Sequence, residues 1–325
     1  MPKPTISVVM SVYNGKPYLS EAIESILNQT FSDFEFIIIN DGSTDDSWQI
    51  IKQYAEKDKR IIPITQENIG LTKSLNKGIR VAKGKYIARQ DADDISLNER
   101  FEKQYDYLKK NQNITFVGCL CEVINNCGNV LYKGKDKHFS KRGLKKFLSR
   151  NNLFMHGEVM FKKSNVVNVG MYREHFQYAQ DYDLWLRLIH NYDFVIIPQI
   201  LYRYRLISES ISVSKYESQK YYAELAKLFF DERKENGKDS YDLYFNKRHD
   251  ASIDLNIKSN SFDYLLRQAE ELINYDNSID AKKYLKEAWI LGCRDIRIYK
   301  AYIKIFIGER ILHIIRWLKN IRYRI

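Results

Sequence analysis

Cysteine is scarce in this chain: four among 325 residues, Cys119, Cys121, Cys127 and Cys293. No second Cys or His pair stands at zinc-finger spacing, and the count suits reduced structural thiols in a cytoplasmic protein. Cys119 and Cys121 alternate along an apparent strand and are expected to share one face. No apolar run reaches the roughly 18 residues that a membrane-spanning helix needs. The N-terminus carries Lys3 but no apolar stretch before Ser7, which argues against a signal peptide. Glycine-rich phosphate loops are missing too. The segment after the first strand signal, Tyr13-Asn14-Gly15-Lys16-Pro17, holds one glycine, and no Gly-x-Gly-x-x-Gly occurs there. That weighs against a nucleotidyltransferase and against a dinucleotide dehydrogenase. No RNA-binding motif accompanies the basic residues, so nucleic acid is not an expected partner.

What is present supports a sizeable core. Hydrophobic residues make up 44% of the chain, enough for one large domain with an appendage or for two domains. The net charge of +11 is unevenly placed. Residues 133–150 carry eight Lys or Arg against Asp136, and residues 300–325 carry seven against Glu309. Such patches suit a polyanion, namely nucleic acid, an anionic membrane or a phosphorylated substrate, or they form a solubilising face.

The first hundred residues alternate between strand and helix signals. Ile6–Val12 is a β-branched run, broken by Asn14-Gly15, and Pro17 suits the following helix start. Phe34–Asn40 and Ile61–Thr65 read as buried strands, and Tyr86–Ala88 as a fourth. Between them, Asp41-Gly42-Ser43-Thr44 reads as a turn, and Gly70 precedes a helix marked by Leu71, Leu75 and Ile79. This alternation predicts an α/β fold, a mostly parallel sheet flanked by helices. Further on, Thr115–Ile124, His156–Phe161, Phe194–Ile197 and Leu201–Arg205 read as strands. Leu184, Trp185, Leu188 and Ile189 mark an amphipathic helix after Asp181. Beyond about Ser210 strand signals fade and helical spacing dominates.

Asp91-Ala92-Asp93-Asp94 then stands out. Three carboxylates in four residues at a strand end repel one another, and a hard divalent cation relieves that repulsion. The alternative is an acidic turn that caps the helix starting near Glu99. In open α/β sheets, ligands bind beyond the carboxyl ends of the strands. Tyr13-Asn14, Asp41, Asn68-Ile69-Gly70 and Asp91-Ala92-Asp93 follow successive strands and are expected to converge on one rim.

Taken in order, these segments resemble the inverting family-2 glycosyltransferases, which have a nucleotide-diphospho-sugar-binding fold. The resemblance runs from about Ile6 to Ser212 and includes His156, Asp181-Tyr182-Asp183-Leu184-Trp185 and Tyr202-Arg203. It implies that Asp181 is the catalytic base and that Asp93 ligates Mn²⁺ or Mg²⁺, with Asp91 supporting the metal or the ribose. Ser11, Tyr13, Asn14, Asp41, Gly70, Lys73, Asp91 and Arg205 are the implied nucleotide-sugar-binding set. Tyr13 would lie on the base or ribose, and Asp41 would read the base, usually uracil. Two positions depart from the family pattern. Gln180 stands where Glu is common, and Arg205 where a His near the metal or diphosphate is common. An arginine cannot ligate a metal but can neutralise a diphosphate.

The expected activity is transfer of a sugar from a nucleoside-diphosphate sugar to an acceptor hydroxyl. The resemblance implies a lipid-diphosphate-linked saccharide as acceptor, in capsule or O-antigen synthesis at the inner face of a bacterial membrane. A catalytically silent, membrane-associated sugar-nucleotide-binding protein is the non-enzymatic alternative. Residues 1–212 are the expected catalytic domain, and 213–325 a helical region ending in basic residues. Ile311–Ile325 pairs an apolar stripe with Arg316, Lys319 and Arg322, and Trp317 and Tyr323 suit an interface. This segment is expected either to lie on an anionic membrane surface or to pack on the catalytic domain as a last helix.

Overall fold

In the computed structural model, residues 3–134, 141–207, 216–246, 269, 270, 273, 281, 282, 285, 286 and 296–306 are described. The sequence signals of the first half become elements with nearly the expected bounds. These are β1 (Ile6–Val12), α1 (Lys16–Leu27), β2 (Phe34–Asp41), α2 (Ser47–Lys57), β3 (Ile61–Gln66), α3 (Leu71–Val81) and β4 (Tyr86–Arg89). The four strands are parallel: β1 pairs with β2 on one side and β4 on the other, and β2 pairs with β3. Period-two alternation splits their side chains between two layers. Val9, Ile37 and Ile39 face α3, while Val8, Met10, Phe36 and Ile38 face α1 and α2.

The second half is a mixed extension of the same sheet. It comprises β5 (Ile95–Ser96), α4 (Arg100–Lys110), β6 (Ile114–Ile124), β7 (Val130–Lys133), α5 (Lys141–Leu148), β8 (Met160–Lys162), α6 (Lys163–Asn168), α7 (Gln180–Asn191) and β9 (Asp193–Arg205). The strand order is β3-β2-β1-β4-β8-β6-β9-β5, with β7 on β6. Strands β4–β8, β8–β6, β6–β7 and β9–β5 are antiparallel, whereas β6–β9 is parallel. Two helices follow, α8 (Tyr216–Asn236) and α9 (Tyr241–Asn246). Leu225, Ala226 and Phe229 of α8 share a core with Leu184, Trp185 and Leu188 of α7.

Two strand expectations are corrected. His156–Glu158 is a 3₁₀ turn, and only Met160–Lys162 is strand. The turn places Gly157 against the Tyr202 hydroxyl, where a Cβ would come within 1.8 Å of the oxygen. The two expected strands near the end form one 13-residue strand, Asp193–Arg205. Its register jumps from Cys119↔Ile197 to Leu120↔Ile200, so Pro198 and Gln199 bulge out of the ladder. Proline has no N–H to donate, and an irregularity of this kind is where a strand tolerates it.

Candidate active site

Three loops meet at the carboxyl edge of the parallel strands, joined by side chain-to-backbone hydrogen bonds. Asn14 adopts φ 52°. Its Oδ1 accepts from Thr44 N at 2.8 Å, and its own N–H donates to Ser43 Oγ at 3.0 Å. These bonds tie the loop after β1 to the loop after β2. Asp41 is buried and accepts three bonds: from Gln66 Nε2 at 2.8 Å, Ile69 N at 3.0 Å and Gly70 N at 2.9 Å. It clamps the loop after β3, in which Gly70 has φ 90°. Gly42 (φ 74°) closes the same junction, because a Cβ there would lie 2.6 Å from Asn68 N. Tyr13 projects from this rim and is 57% exposed. Ser11 is half-buried at the end of β1, and Lys73 is exposed on the first turn of α3.

Behind these loops, an open groove of about 580 Å³ is lined by Asn40, Gly42, Ser43, Thr44, Trp48 and Asn68, among others. It lies on the α2 side of the sheet and away from the acidic loop.

The acidic loop after β4 divides its three carboxylates. Asp94 turns inward, where Oδ2 accepts from the Tyr202 hydroxyl at 2.9 Å and Oδ1 from Arg205 N at 2.7 Å. Burial, then the charges of Asp93 and Asp91, push its carboxyl well above the ordinary range. Asp91 and Asp93 are half-buried. Asp91 is ion-paired to the fully buried Arg89. Burial and the charge of Asp91 push Asp93 up to about 6. Two hard oxygen donors with surplus negative charge at a strand end fit a divalent cation such as Mg²⁺ or Mn²⁺. Among the described residues no group of three His, Cys, Asp or Glu side chains is arranged to hold a metal. Oxygens of a diphosphate and water would therefore complete the coordination sphere.

Arg205 does not face the cleft as a phosphate ligand would. It is fully buried. Its Nε donates to the Asp93 carbonyl at 2.8 Å, its Nη1 to the carbonyls of Asn125 and Asn126 at 3.1 and 3.2 Å, and its Nη2 to Glu21. The guanidinium also stacks over the Tyr18 ring, 4.4 Å from its centroid. With its donors directed to the protein, Arg205 braces the acidic loop against α1 and the β6–β7 hairpin.

Asp181 and Asp183 have opposite environments. Asp183 is fully buried and ion-paired to Arg187 at 2.8 Å and Arg173 at 3.5 Å. Asp181 is half-buried, and Asn152 Nδ2 donates to its Oδ2 at 2.9 Å. Burial raises its carboxyl above the ordinary range, the Asn152 bond opposes that, and the charge of Asp91 adds to it. Burial pushes the Tyr172 phenol up, and the charges of Asp181 and Asp91 add to that. Tyr172 is thus within electrostatic reach of both the helix-borne carboxylate and the acidic loop. Its hydroxyl lies 2.7 Å from His156 Nε2, which Arg89 Nε approaches at 3.3 Å. Burial and Arg89 hold His156 neutral, well below the usual imidazole range.

Asp181 thus lies within electrostatic reach of the acidic loop. Comparison with known proteins identifies the family. The Glycosyl transferase family 2 model matches residues 7–167. An uncharacterized glycosyltransferase of Methanocaldococcus jannaschii, MJ1057, is 41% identical over 227 residues, which are 69% of this chain and 78% of that protein. The chain belongs to glycosyltransferase family 2. The O-antigen biosynthesis glycosyltransferase WbnJ of Escherichia coli is 38% identical over 215 residues, 64% of this chain and 82% of that protein. Among solved structures, S. aureus TarS 1–349 in complex with UDP aligns with TM-score 0.52 at 16% identity, covering 89% of this chain and 92% of that one. The mannosyltransferase PcManGT from Pyrobaculum calidifontis, in complex with GDP-Man and Mn²⁺, aligns with TM-score 0.55 at 14% identity, covering 94% and 85%. At these identities the likeness concerns the fold.

The structure also brings together residues to which the motifs assign no role: Arg89, Asn152, Gly157, Tyr172 and Tyr202. Arg89 had a visible signal, a charged residue closing an apolar strand, since a buried charge needs a partner. Asn152 and Tyr172 had none.

Proposed function

We propose that this glycosyltransferase moves a sugar, with inversion, from a uridine-diphosphate sugar to a hydroxyl of a lipid-diphosphate-linked saccharide in surface-polysaccharide assembly. The observation that carries the reading is the desolvated Asp181 carboxylate, held by Asn152 within electrostatic reach of Asp91. Residues 1–212 form the catalytic part, and the region 213–325 holds the enzyme at an anionic membrane surface. Uridine is favoured by the Asp41 clamp beside the exposed Tyr13 ring. The name of WbnJ supports the polysaccharide role.

In this mechanism Tyr13 covers the base, and Asp41, through Ile69 and Gly70, sets the loop beside it. Asp93 and Asp91 would hold Mn²⁺ or Mg²⁺, which when bound offsets charge on the diphosphate. Arg89 and the buried Asp94–Tyr202 pair fix the aim of those two carboxylates. Asp181 takes the proton of the acceptor hydroxyl, which attacks the anomeric carbon opposite the leaving nucleoside diphosphate. A base of this kind contributes about 10²- to 10⁴-fold. Its raised pKa brings it closer to that of the proton it accepts.

The test is a donor screen read by nucleoside-diphosphate release, with UDP- and GDP-sugars, with and without a lipid-diphosphate sugar acceptor, Mn²⁺ and chelator. UDP release that requires metal, with an inverted product, is expected. Full activity in excess chelator, a preference for GDP-sugars, or a product of retained configuration would each overturn the matching part.

A further inference from the structure

The helix over residues 296–306 is apolar on two sides. Ile298, Ala301 and Ile305 point into a core with Val123, Leu131 and Leu206. On the other side Ile296 (67%), Ile303 (56%), Tyr299, Tyr302 and Phe306 are exposed. Among the described residues, five of the twelve exposed large hydrophobic side chains lie on this one helix. Scattered single residues of this kind are ordinary, but a contiguous apolar patch marks an interaction surface.

The charges on the helix are sorted as well. At about 100° per residue, the buried positions centre on one direction and the exposed apolar positions occupy the arc beyond them. Arg297, Lys300 and Lys304 fall together on the remaining arc, next to Ile296. The acidic face that would bind a cationic partner is lacking on this helix, since 296–306 contains no Asp or Glu. An apolar and aromatic stripe beside a purely cationic one is complementary to a surface that is both apolar and anionic, which is a bilayer of acidic lipids.

We infer that the exposed face of helix 296–306 is a docking surface for an anionic lipid bilayer. This deepens the membrane reading above and assigns contact to a face distinct from residues 311–325. The helix is also mechanically close to the chemistry. It packs on Leu206, whose N–H donates to Ile124 O at 2.9 Å, directly after Arg205, whose Nε holds the Asp93 carbonyl. A membrane seated on the exposed face would therefore be one helix away from the hairpin that holds Arg205 and the acidic loop. That geometry suits an acceptor whose reactive sugar is tethered to lipid.

The experiment is co-sedimentation of the full chain with vesicles of phosphatidylcholine alone and of equal parts phosphatidylcholine and phosphatidylglycerol. Three variants are compared: Ile296→Ser/Ile303→Ser, Lys300→Gln/Lys304→Gln, and Arg316→Gln/Lys319→Gln/Arg322→Gln in the terminal segment. The altered helix residues are exposed, and far-UV dichroism and thermal melting verify that each variant folds. Salt-sensitive binding to the anionic vesicles is expected, about 30-fold weaker for the Lys300/Lys304 variant at low salt. The Ile296/Ile303 variant should also bind more weakly, with donor turnover in the absence of vesicles unchanged. If only the terminal-segment variant loses binding, this inference fails and the membrane reading stands. If the wild-type chain binds no vesicles, both fail. If the serine variant abolishes a dimer seen by light scattering and leaves vesicle binding intact, the face joins two copies of the chain and the inference is overturned.

Discussion

Two aspartates two residues apart should fail in opposite ways when each is changed to asparagine. Asp183 has no exposed surface and neutralises Arg187 and Arg173. Arg187 also donates to the Met171 carbonyl at 2.6 Å, so it cannot swing out to water without breaking that loop. Asp183→Asn leaves the buried Arg187 without its counter-charge, while Arg173 keeps Asp239 at 2.7 Å. Breaking a buried pair from one side costs about 3–5 kcal/mol. For a chain of this size that is a fall in melting temperature of roughly 4–7 °C.

Asp181→Asn removes no ion pair. An amide oxygen at 181 still accepts from Asn152 Nδ2, and the desolvated charge is gone. Its melting temperature should equal or exceed that of the wild type, while transfer falls about 10²- to 10⁴-fold. The sign of the pH dependence follows from the raised folded pKa. Between the ordinary value of 3.8 and the folded one, the unfolded chain binds fewer protons, so wild-type stability falls as pH rises through that window. The advantage of Asp181→Asn in melting temperature should therefore grow with pH across the same interval and then level off. Nucleoside-diphosphate release and thermal melts on both variants decide the matter. A mild rate loss for Asp181→Asn, or a wild-type melt with abolished transfer for Asp183→Asn, would reverse the assignment of the base.

Asp93→Ala should abolish metal-dependent nucleotide binding measured by calorimetry; unchanged binding of UDP with Mn²⁺ would remove it from the metal site. Arg205→Lys should lower the melting temperature and weaken UMP and UDP alike, because its donors serve the protein. A loss confined to UDP would show that it contacts the second phosphate. Gly157→Ala should cost about 1–3 kcal/mol, since a Cβ there meets the Tyr202 oxygen at 1.8 Å; an unchanged melt would refute that contact. The acid limb of kcat/KM should lie above the ordinary aspartate value and be absent from whatever rate remains in Asp181→Asn.

The parallel half of the fold was legible because β1, β2 and β4 are buried on both faces. Ile6–Val12 and Phe34–Asp41 are mostly apolar runs between turn residues, and the helices between them carry a clear period. The other half hid for physical reasons. A two-residue strand such as Ile95–Ser96 has no periodicity to detect, and Val130–Lys133 exists because β6 offers it an edge. The bulge at Pro198–Gln199 makes one strand look like two. The described residues end at 306, so the terminal segment Ile311–Ile325 lies outside them.

At the site, carboxylates were legible and their supports were not, and the asymmetry has a cause. Asp91 and Asp93 reveal themselves by like charges crowded at a strand end, a purely local signal, and Asp181 by its place in a family-like motif. Their supports act across long sequence separations: Tyr202 reaches Asp94 over 108 residues, and Arg205 reaches the Asp93 carbonyl over 112. Three fully buried arginines, Arg89, Arg100 and Arg205, surround the acidic loop. Each is anchored by backbone carbonyls: Val9 and Gln90 for Arg89, Gly157 and Arg89 for Arg100, and Asp93, Asn125 and Asn126 for Arg205. Carbonyl anchors fix the position of a guanidinium without cancelling its charge. The loop thus carries surplus negative charge on its cleft side and fixed positive charge on its core side. The Arg205 bond to the Asp93 carbonyl and the Arg89–Asp91 pair fix the loop before a ligand arrives, which is the preorganisation an electrostatic site requires.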